Sequence, residues 1–224
     1  PSDARQGQIM TDVLNSRGFS SVAVSYTNND YGKGLADAFQ AAYEASGGTV
    51  TINASHEDGK ADYSSEVGAL ASAGGEVLVV AGYIDQGGKG ITTTAIDTGA
   101  FDTFLFPDGM IGEALLEYGG TDIDGSMGTV PGTDSPGAAM MASIGEAGGF
   151  NGSAPFGAES YDAAALIMLA MASAGSSDSQ VFKDHVMKVA NGPGEEIYPG
   201  DLANGIAMAS AGFAIDYVGG SAVT

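Results

Sequence analysis

Residues 76–81 read Glu-Val-Leu-Val-Val-Ala, and Gly82 follows them directly. The run from Val77 to Ala81 contains no polar side chain, which is typical of a strand that is buried on both faces. Strands of this kind lie in parallel sheets that carry helices on both sides. This stretch therefore favours an α/β fold with a parallel sheet.

Predicted strands and helices alternate on both sides of this run. A first helix lies between the capping residue Ser2 and Gly18. The strands are predicted at 21–26, 49–54, 76–81, 104–106 and 126–130, and the later helices at 32–43, 62–73, 86–98 and 110–118. Because parallel neighbours need a crossover connection, this order predicts right-handed βαβ units. Residues 1–131 are therefore predicted to form one open parallel-sheet lobe.

The remaining part of the chain has a different pattern. Residues 132–137 contain glycine and proline and predict a hinge crossing to a second lobe. Helices are predicted at 138–147, 159–174, 179–190 and 201–211. Tyr161 and Asp162 stand near the start of the second of these helices, where we expect packing and capping roles. Because no apolar run comparable to 76–81 follows, residues 138–224 are predicted to be a mainly helical part of a second lobe, without a sheet of its own.

The composition excludes several classes of function. Lys and Arg number 7 against 28 Asp and Glu, and the resulting net charge of −21 opposes binding to a nucleic acid backbone. The chain has no cysteine, which excludes disulfides, thiolate nucleophiles and cysteine-bound metals. His56 and His185, its two histidines, are far apart, and residues 82–89 depart from a phosphate-binding loop because Gly88 stands at the lysine position. We therefore expect no metal, no cofactor and no enzymatic activity.

The sequence also gives expectations about export. Its most apolar run, residues 163–172, is about half as long as a membrane-spanning helix and is predicted to be a core helix. The chain opens without an initiator Met, a basic segment or an apolar segment, so we expect an export signal to have been removed or to lie outside the chain.

Polar side chains follow the predicted strands at their carboxyl ends. In an open parallel sheet these ends share one edge, where ligands bind. The first strand is followed by Tyr31, the third by Tyr83 and the fourth by Asp108. A carboxylate flanked by aromatic faces is a good receptor for an ammonium group, through a charge-assisted hydrogen bond and a cation–π contact. The alternative, that Asp108 caps the helix predicted near Met110, stays equally open at this point.

Four further residues at this edge are predicted as a possible ligand rim. They are Asn29, Asp30, Gly82 and Gly109. Glycine at position 109, directly after the turn-forming sequence Pro107-Asp108, would let a ligand approach the backbone closely.

Several short motifs, in this order, resemble one known family. They are residues 29–36 (NDYGKGLA), 81–83 (AGY), 106–109 (FPDG), 159–165 (ESYDAAA) and 215–220 (IDYVGG). Together they resemble the branched-chain amino acid (Leu/Ile/Val) binding proteins of bacterial ABC transporters, which are type I periplasmic binding proteins. In that family two α/β lobes close on a small solute.

The resemblance implies a location for each part of the chain. Residues 1–131 would be the C-terminal, ligand-binding lobe, 132–137 the hinge, and 138–224 part of the N-terminal lobe. The chain would be a C-terminal fragment of a periplasmic protein that delivers its solute to an inner-membrane permease. The half of the site that holds the ligand's carboxylate would lie on the missing part, and we expect the apolar surface left there to promote self-association.

The resemblance also implies roles for the site residues. Tyr31 and Tyr83 would line the ligand cleft, and Asp108 would stand where family members place an acid on the ligand's α-ammonium group. That acid is often Glu, so the shorter Asp108 implies that the ligand sits deeper or is a different amine. The solute would be a branched-chain or related amino acid, or an amide. The alternatives are a ligand-sensing domain of a receptor or regulator on the same fold and, less favoured, an α/β enzyme that uses Asp108.

Overall fold

The computed structural model of the chain describes residues 2–132, 136–154 and 156–221. Within it, Pro1–Val130 and Pro131–Thr224 form two separate units, which are described here one at a time. Residues 133–135 of the predicted hinge lie outside the described ranges.

Five strands form the sheet of the first unit, in the spatial order β2-β1-β3-β4-β5. They are β1 (Ser21–Thr27), β2 (Thr49–His56), β3 (Val77–Ala81), β4 (Phe104–Phe106) and β5 (Met127–Gly128). Every pair of neighbours is parallel. The α/β fold with a parallel sheet that the sequence predicts is confirmed.

Strand β3 lies at the centre of this sheet and separates two apolar cores. Val77, Val79 and Ala81 contact the core that includes the buried side chains of the first two helices. Leu78 and Val80 contact the core on the opposite face. All five side chains are fully buried, and each buried Val or Leu contributes about 1.5–3 kcal/mol. The absence of polar residues in β3 thus follows from its contact with two cores.

Helices cover both faces of the sheet. They are α1 (Asp3–Arg17), α2 (Asp30–Ala45), α3 (Ser64–Ala73), α4 (Lys89–Asp97) and α5 (Glu113–Gly119). Helix α1 begins and ends as predicted, because the Ser2 side chain accepts from the Arg5 amide at its start and Gly18 has a left-handed backbone conformation at its end.

Helices α4 and α5 each begin three residues later than the sequence predicts. Helix α4 was predicted from Gln86, but Gln86 and Gly87 have non-helical backbone angles, and Gly87 has a φ of 85°. Helix α5 was predicted from Met110, but a short 3₁₀ turn over Asp108–Met110 comes first and α5 begins at Glu113. Both segments connect strand ends to helices, so the additional loop residues lie at the predicted ligand edge.

The second unit contains four described helices and a small sheet. The helices are α6 (Pro136–Gly148), α7 (Gly157–Ala174), α8 (Ser179–Ala190) and α9 (Leu202–Ser210). Strands β6 (Glu195–Ile197) and β7 (Ile215–Tyr217) pair in parallel, so the prediction that this part has no sheet of its own is wrong. Each strand has only three residues and β6 carries two exposed glutamates, which is why no apolar run marks it. None of the described helices has both the length and the hydropathy that a membrane crossing requires.

Asp162 of α7 is fully buried and binds the end of β7 and the residues that follow it. Its Oδ1 accepts from the Tyr217 hydroxyl at 2.8 Å and the Gly220 amide at 2.9 Å. Its Oδ2 accepts from the amide and the hydroxyl of Ser221, at 2.7 and 2.6 Å. The predicted capping role is wrong, because α7 already begins at Gly157 and Asp162 lies within it. The carboxylate instead joins α7 to residues 217–221.

His56, at the end of β2, is a buried structural histidine. Its Nδ1 lies 2.8 Å from the Ser25 hydroxyl and its Nε2 lies 3.1 Å from the Thr27 hydroxyl. Thr27 donates its single proton to the Gln86 carbonyl, so it accepts from Nε2–H, and Ser25 donates to Nδ1. Burial lowers the pKa of His56 to about 4. The neutral ring therefore links β1 and β2 to the loop that follows β3.

His56 makes the stability of the first unit depend on pH. Its pKa is lower in the folded chain than in the unfolded chain, so between about pH 6.5 and 4 the unfolded chain binds the additional proton. Acidification through this window should lower the free energy of unfolding by up to about 3 kcal/mol. Urea denaturation of wild type and His56→Gln across this pH range measures how much His56 contributes to the pH dependence of the free energy of unfolding. His185→Gln tests whether the effect is specific to His56. An identical pH slope in wild type and His56→Gln would contradict the assignment.

Replacement of Asp162 should destabilise the second unit. Asp162→Ala leaves two amides and two hydroxyls without their acceptor, and we expect a loss of about 3 kcal/mol or more in the free energy of unfolding. Asp184→Ala, at an exposed position of α8, is the matched control and should change it by less than about 0.5 kcal/mol. Equal stability of the two variants in urea denaturation would refute a stabilising role of the buried carboxylate.

Candidate ligand-binding site

Asp108 directly follows β4 and Pro107, and its side chain points into the sheet edge, with 9% of the residue exposed. Its Oδ1 accepts from the Tyr31 hydroxyl at 2.6 Å and from the Gln6 side-chain amide at 2.7 Å. Its Oδ2 accepts no hydrogen bond from the residues that the structure describes, and this oxygen is not completely shielded from solvent. One carboxylate oxygen is therefore held by the protein, and the other is available as an acceptor.

Helix α2 positions Tyr31. The Asn29 side chain caps α2 by accepting from the Gly32 amide at 2.8 Å, so Tyr31 lies in the first turn of the helix. Burial, and then donation to Asp108, raises the pKa of the Tyr31 hydroxyl, which therefore remains a protonated donor at neutral pH.

Tyr83 lies beside Tyr31 at the same edge. The two ring centroids are 4.8 Å apart and the ring planes are inclined by 39°. Tyr83 is 39% exposed, so one part of its ring packs on Tyr31 and another part faces solvent. The structure thus brings together the three side chains that the sequence predicts as ligand-binding residues.

The alternative role of Asp108 as a helix cap is not what the structure shows. Neither the 3₁₀ turn over Asp108–Met110 nor helix α5 has a side-chain cap, and the residue before α5 is Gly112. The Asp108 carboxylate makes its hydrogen bonds to Tyr31 and Gln6 instead.

The predicted rim residues differ in their surroundings. Asn29 uses both ends of its side-chain amide, because its Nδ2 also donates to the Gln86 side chain at 3.0 Å. Asp30 is exposed in the first turn of α2. A Cβ atom at Gly109 would lie 2.4 Å from the Gly82 carbonyl oxygen, and one at Gly82 would lie 2.0 Å from the Thr27 hydroxyl. Gly109 is thus required by a contact between neighbouring loops and Gly82 by a contact with the end of β1, reasons that differ from the close ligand approach expected at Gly109.

Gln6 is the site residue that the sequence reasoning missed. It is 7% exposed and lies on α1, four residues before Met10 and eight before Leu14, which are both fully buried. A polar residue on the apolar stripe of an amphipathic helix was the available signal, since a buried amide requires a hydrogen-bond partner.

The charge of Asp108 is not balanced by a cation. The ion pairs formed by the described residues join Lys33 to Asp37 and Lys60 to Glu66, and neither involves Asp108. In the same part of the chain, no group of three or more His, Cys, Asp or Glu is arranged to hold a metal ion. Within the described ranges, the side chains that donate to this carboxylate, Tyr31 and Gln6, are therefore neutral.

A family model described as periplasmic binding protein matches residues 1–191. The chain therefore belongs to the periplasmic binding protein family. This family is non-enzymatic, in agreement with the prediction that the chain is not an enzyme.

The chain is also similar to individual proteins. The Leu/Ile/Val-binding protein homolog 3 of Brucella melitensis is 36% identical over 128 residues, which cover 57% of this chain and 34% of the relative. The leucine binding protein LivK of Thermotoga maritima has a TM-score of 0.72 and 23% identity over 84% of this chain and 55% of that chain. A periplasmic binding protein type 1 from Bordetella pertussis has a TM-score of 0.73 and 17% identity over 84% and 55% of the two chains.

These similarities confirm the predicted resemblance and the type I periplasmic binding protein fold. A solute binding protein of an ABC transporter from Rhodopseudomonas palustris, solved with p-hydroxybenzoic acid, shares the fold with a TM-score of 0.66 and 19% identity over 80% of this chain and 51% of that chain. The present chain spans 34% of the curated relative and 51–55% of the three structures.

The close contacts at Gly82 and Gly109 predict that a larger side chain is more destabilising at these positions than at a glycine of the edge that has open space around it. Gly109→Ala places a Cβ against the Gly82 carbonyl and should lower the free energy of unfolding by about 1–3 kcal/mol while displacing Tyr83. Gly112→Ala is the control, because its Cβ would meet nothing within 4 Å and its φ of 170° suits any residue. Urea denaturation measures the free energy of unfolding, and the NMR shifts of the Tyr83 ring report its displacement. Equal stability and equal Tyr83 shifts in the two variants would contradict the prediction.

Proposed function

We propose that the chain is part of the solute-binding component of an ABC transporter, which captures a branched-chain or related amino acid, or an amide, and delivers it to a permease of the inner membrane. The family membership and the Leu/Ile/Val-binding homologue support this class of function. The proposed location is the periplasm.

The observation that carries the proposal is the charge of Asp108. A buried carboxylate without a cation is costly, because burial removes water that would stabilise the charge. A ligand ammonium group that donates to Oδ2 would offset this cost and form a charge-assisted hydrogen bond. A neutral or anionic solute would leave the charge uncompensated, so within the proposed range the site favours an amino acid over an amide, and it disfavours an aromatic acid such as the one in the Rhodopseudomonas structure.

The two tyrosines support the same class of ligand. Tyr31 donates to Oδ1 of Asp108, and the partly exposed Tyr83 ring packs on the Tyr31 ring. An aromatic face near a cation adds about 0.5–2 kcal/mol, depending on how far the cation is removed from water. The site thus offers hydrogen bonding and cation–π attraction to the same group.

The lobe assignment also remains a proposal. We infer that residues 1–131 form the lobe that receives the ammonium group, that 132–137 are the hinge, and that 138–224 belong to the other lobe. The chain covers little more than half of the related structures, so the groups that would bind a ligand carboxylate are proposed to lie in the part of such proteins that this chain does not cover. Exposed apolar side chains of the second unit, including Met187 and Phe213, are consistent with the predicted self-association, which light scattering tests.

Asp108→Asn should weaken amine binding about 10- to 100-fold, because it removes the charge that strengthens the hydrogen bond to an ammonium group. The probes are L-leucine, isopentylamine and 4-methylpentanoate, and binding is followed by NMR titration of the Tyr31 and Tyr83 rings. The two amines should bind and 4-methylpentanoate should not.

The matched control is Asp102→Asn, an exposed aspartate that precedes β4. It should bind both amines as wild type does. Equal amine affinity of Asp108→Asn and wild type, or tighter binding of 4-methylpentanoate than of isopentylamine, would reject the ammonium site.

A further inference from the structure

Gln6 reaches the ligand edge from a helix that precedes the whole sheet. It lies 102 residues before Asp108, and its side-chain amide donates to Oδ1 at 2.7 Å. The approach depends on close packing of α1 on α2, since a Cβ atom at Gly7 would lie 2.8 Å from the Phe39 backbone nitrogen. Glycine next to Gln6 thus allows α1 to come close enough for the contact.

We propose that Gln6 is a positioning residue of the ligand site, and that it directs the charge of Asp108 toward the ligand. This inference rests on the function proposed above. The Gln6 amide and the Tyr31 hydroxyl both donate to Oδ1 and use its two lone pairs. With Oδ1 held from two sides, the carboxylate keeps one orientation, and Oδ2 is the oxygen presented to an ammonium group.

The amide suits this role because it is neutral. A donor without charge orients the carboxylate and leaves its net charge to a ligand, whereas a cationic side chain would form an internal ion pair with it. Arg5 is adjacent in sequence but exposed, so α1 turns its cation to solvent and its amide to the site. Position 6 therefore determines whether the site selects a cationic ligand.

Three variants separate this role from a general effect on folding. Gln6→Leu introduces an apolar side chain of similar size and removes the donor. Gln6→Lys supplies an internal cation. Gln8→Leu is the matched control, because Gln8 is an exposed glutamine of the same helix that donates to Asp12 at 2.9 Å. Each variant is first checked by thermal unfolding.

The first measurement needs no ligand. The three-bond coupling between the backbone nitrogen and Cγ of Asp108 reports its χ1 rotamer. The coupling should indicate a single χ1 rotamer of Asp108 in wild type and in Gln8→Leu. In Gln6→Leu it should have a value averaged over several rotamers. A single rotamer in a folded Gln6→Leu would overturn the positioning role.

The second measurement is the affinity for isopentylamine, followed on the Tyr31 and Tyr83 rings. Gln6→Leu should bind about tenfold more weakly than wild type, which corresponds to one hydrogen bond to a charged group. Gln6→Lys should lose amine binding, and Gln8→Leu should bind as wild type does. Wild-type affinity in Gln6→Leu or Gln6→Lys would overturn the inference. If wild type itself binds no amine, the proposed function fails, and the rotamer measurement alone decides whether Gln6 positions Asp108.

Discussion

Parallel pairing of β1 with β3, and of β3 with β4, is the constraint on which the site depends. Parallel strands must all return through a crossover, so their carboxyl ends lie at one edge of the sheet. Tyr31, Tyr83 and Asp108 follow these three strands and meet there, although 77 residues separate the first from the last. The local sequence of each loop would not bring them together without this pairing.

The loop after β3 is fixed by buried polar groups. The neutral His56 ring binds Ser25 and Thr27, and Thr27 in turn binds the carbonyl of Gln86. The same Thr27 hydroxyl lies 3.4 Å from the Tyr83 amide, which donates to it. His56 is thus linked to the backbone of Tyr83 through the Thr27 hydroxyl.

The alternation of strands and helices, and the meeting of Tyr31, Tyr83 and Asp108 at one edge of the sheet, could be predicted because both depend on periodicity and on one topological rule. Strand β3 has an apolar run, and an acid after Pro107 is visible at a strand end. Other features depend on contacts between distant segments, which periodicity does not encode. The apolar stripe of α1 marks Gln6 as a buried polar residue, but periodicity does not identify its partner 102 residues away, nor the donors near Gly220 that bind Asp162. The short strands β6 and β7 were missed because they contain acidic residues, whereas β4, which is equally short, is wholly apolar.

The backbone contact between Gly82 and Gly109 has a consequence for how the site could change during evolution. Two loops that touch without side chains between them have no room for independent adjustment, because an atom added to either glycine would meet backbone or the Thr27 side chain. Under the proposed function, a new ligand preference of this chain would therefore arise by exchange of the side chains at positions 31, 83 and 108, with the loops kept in place. The solute could thus change while the backbone framework of this edge stays the same.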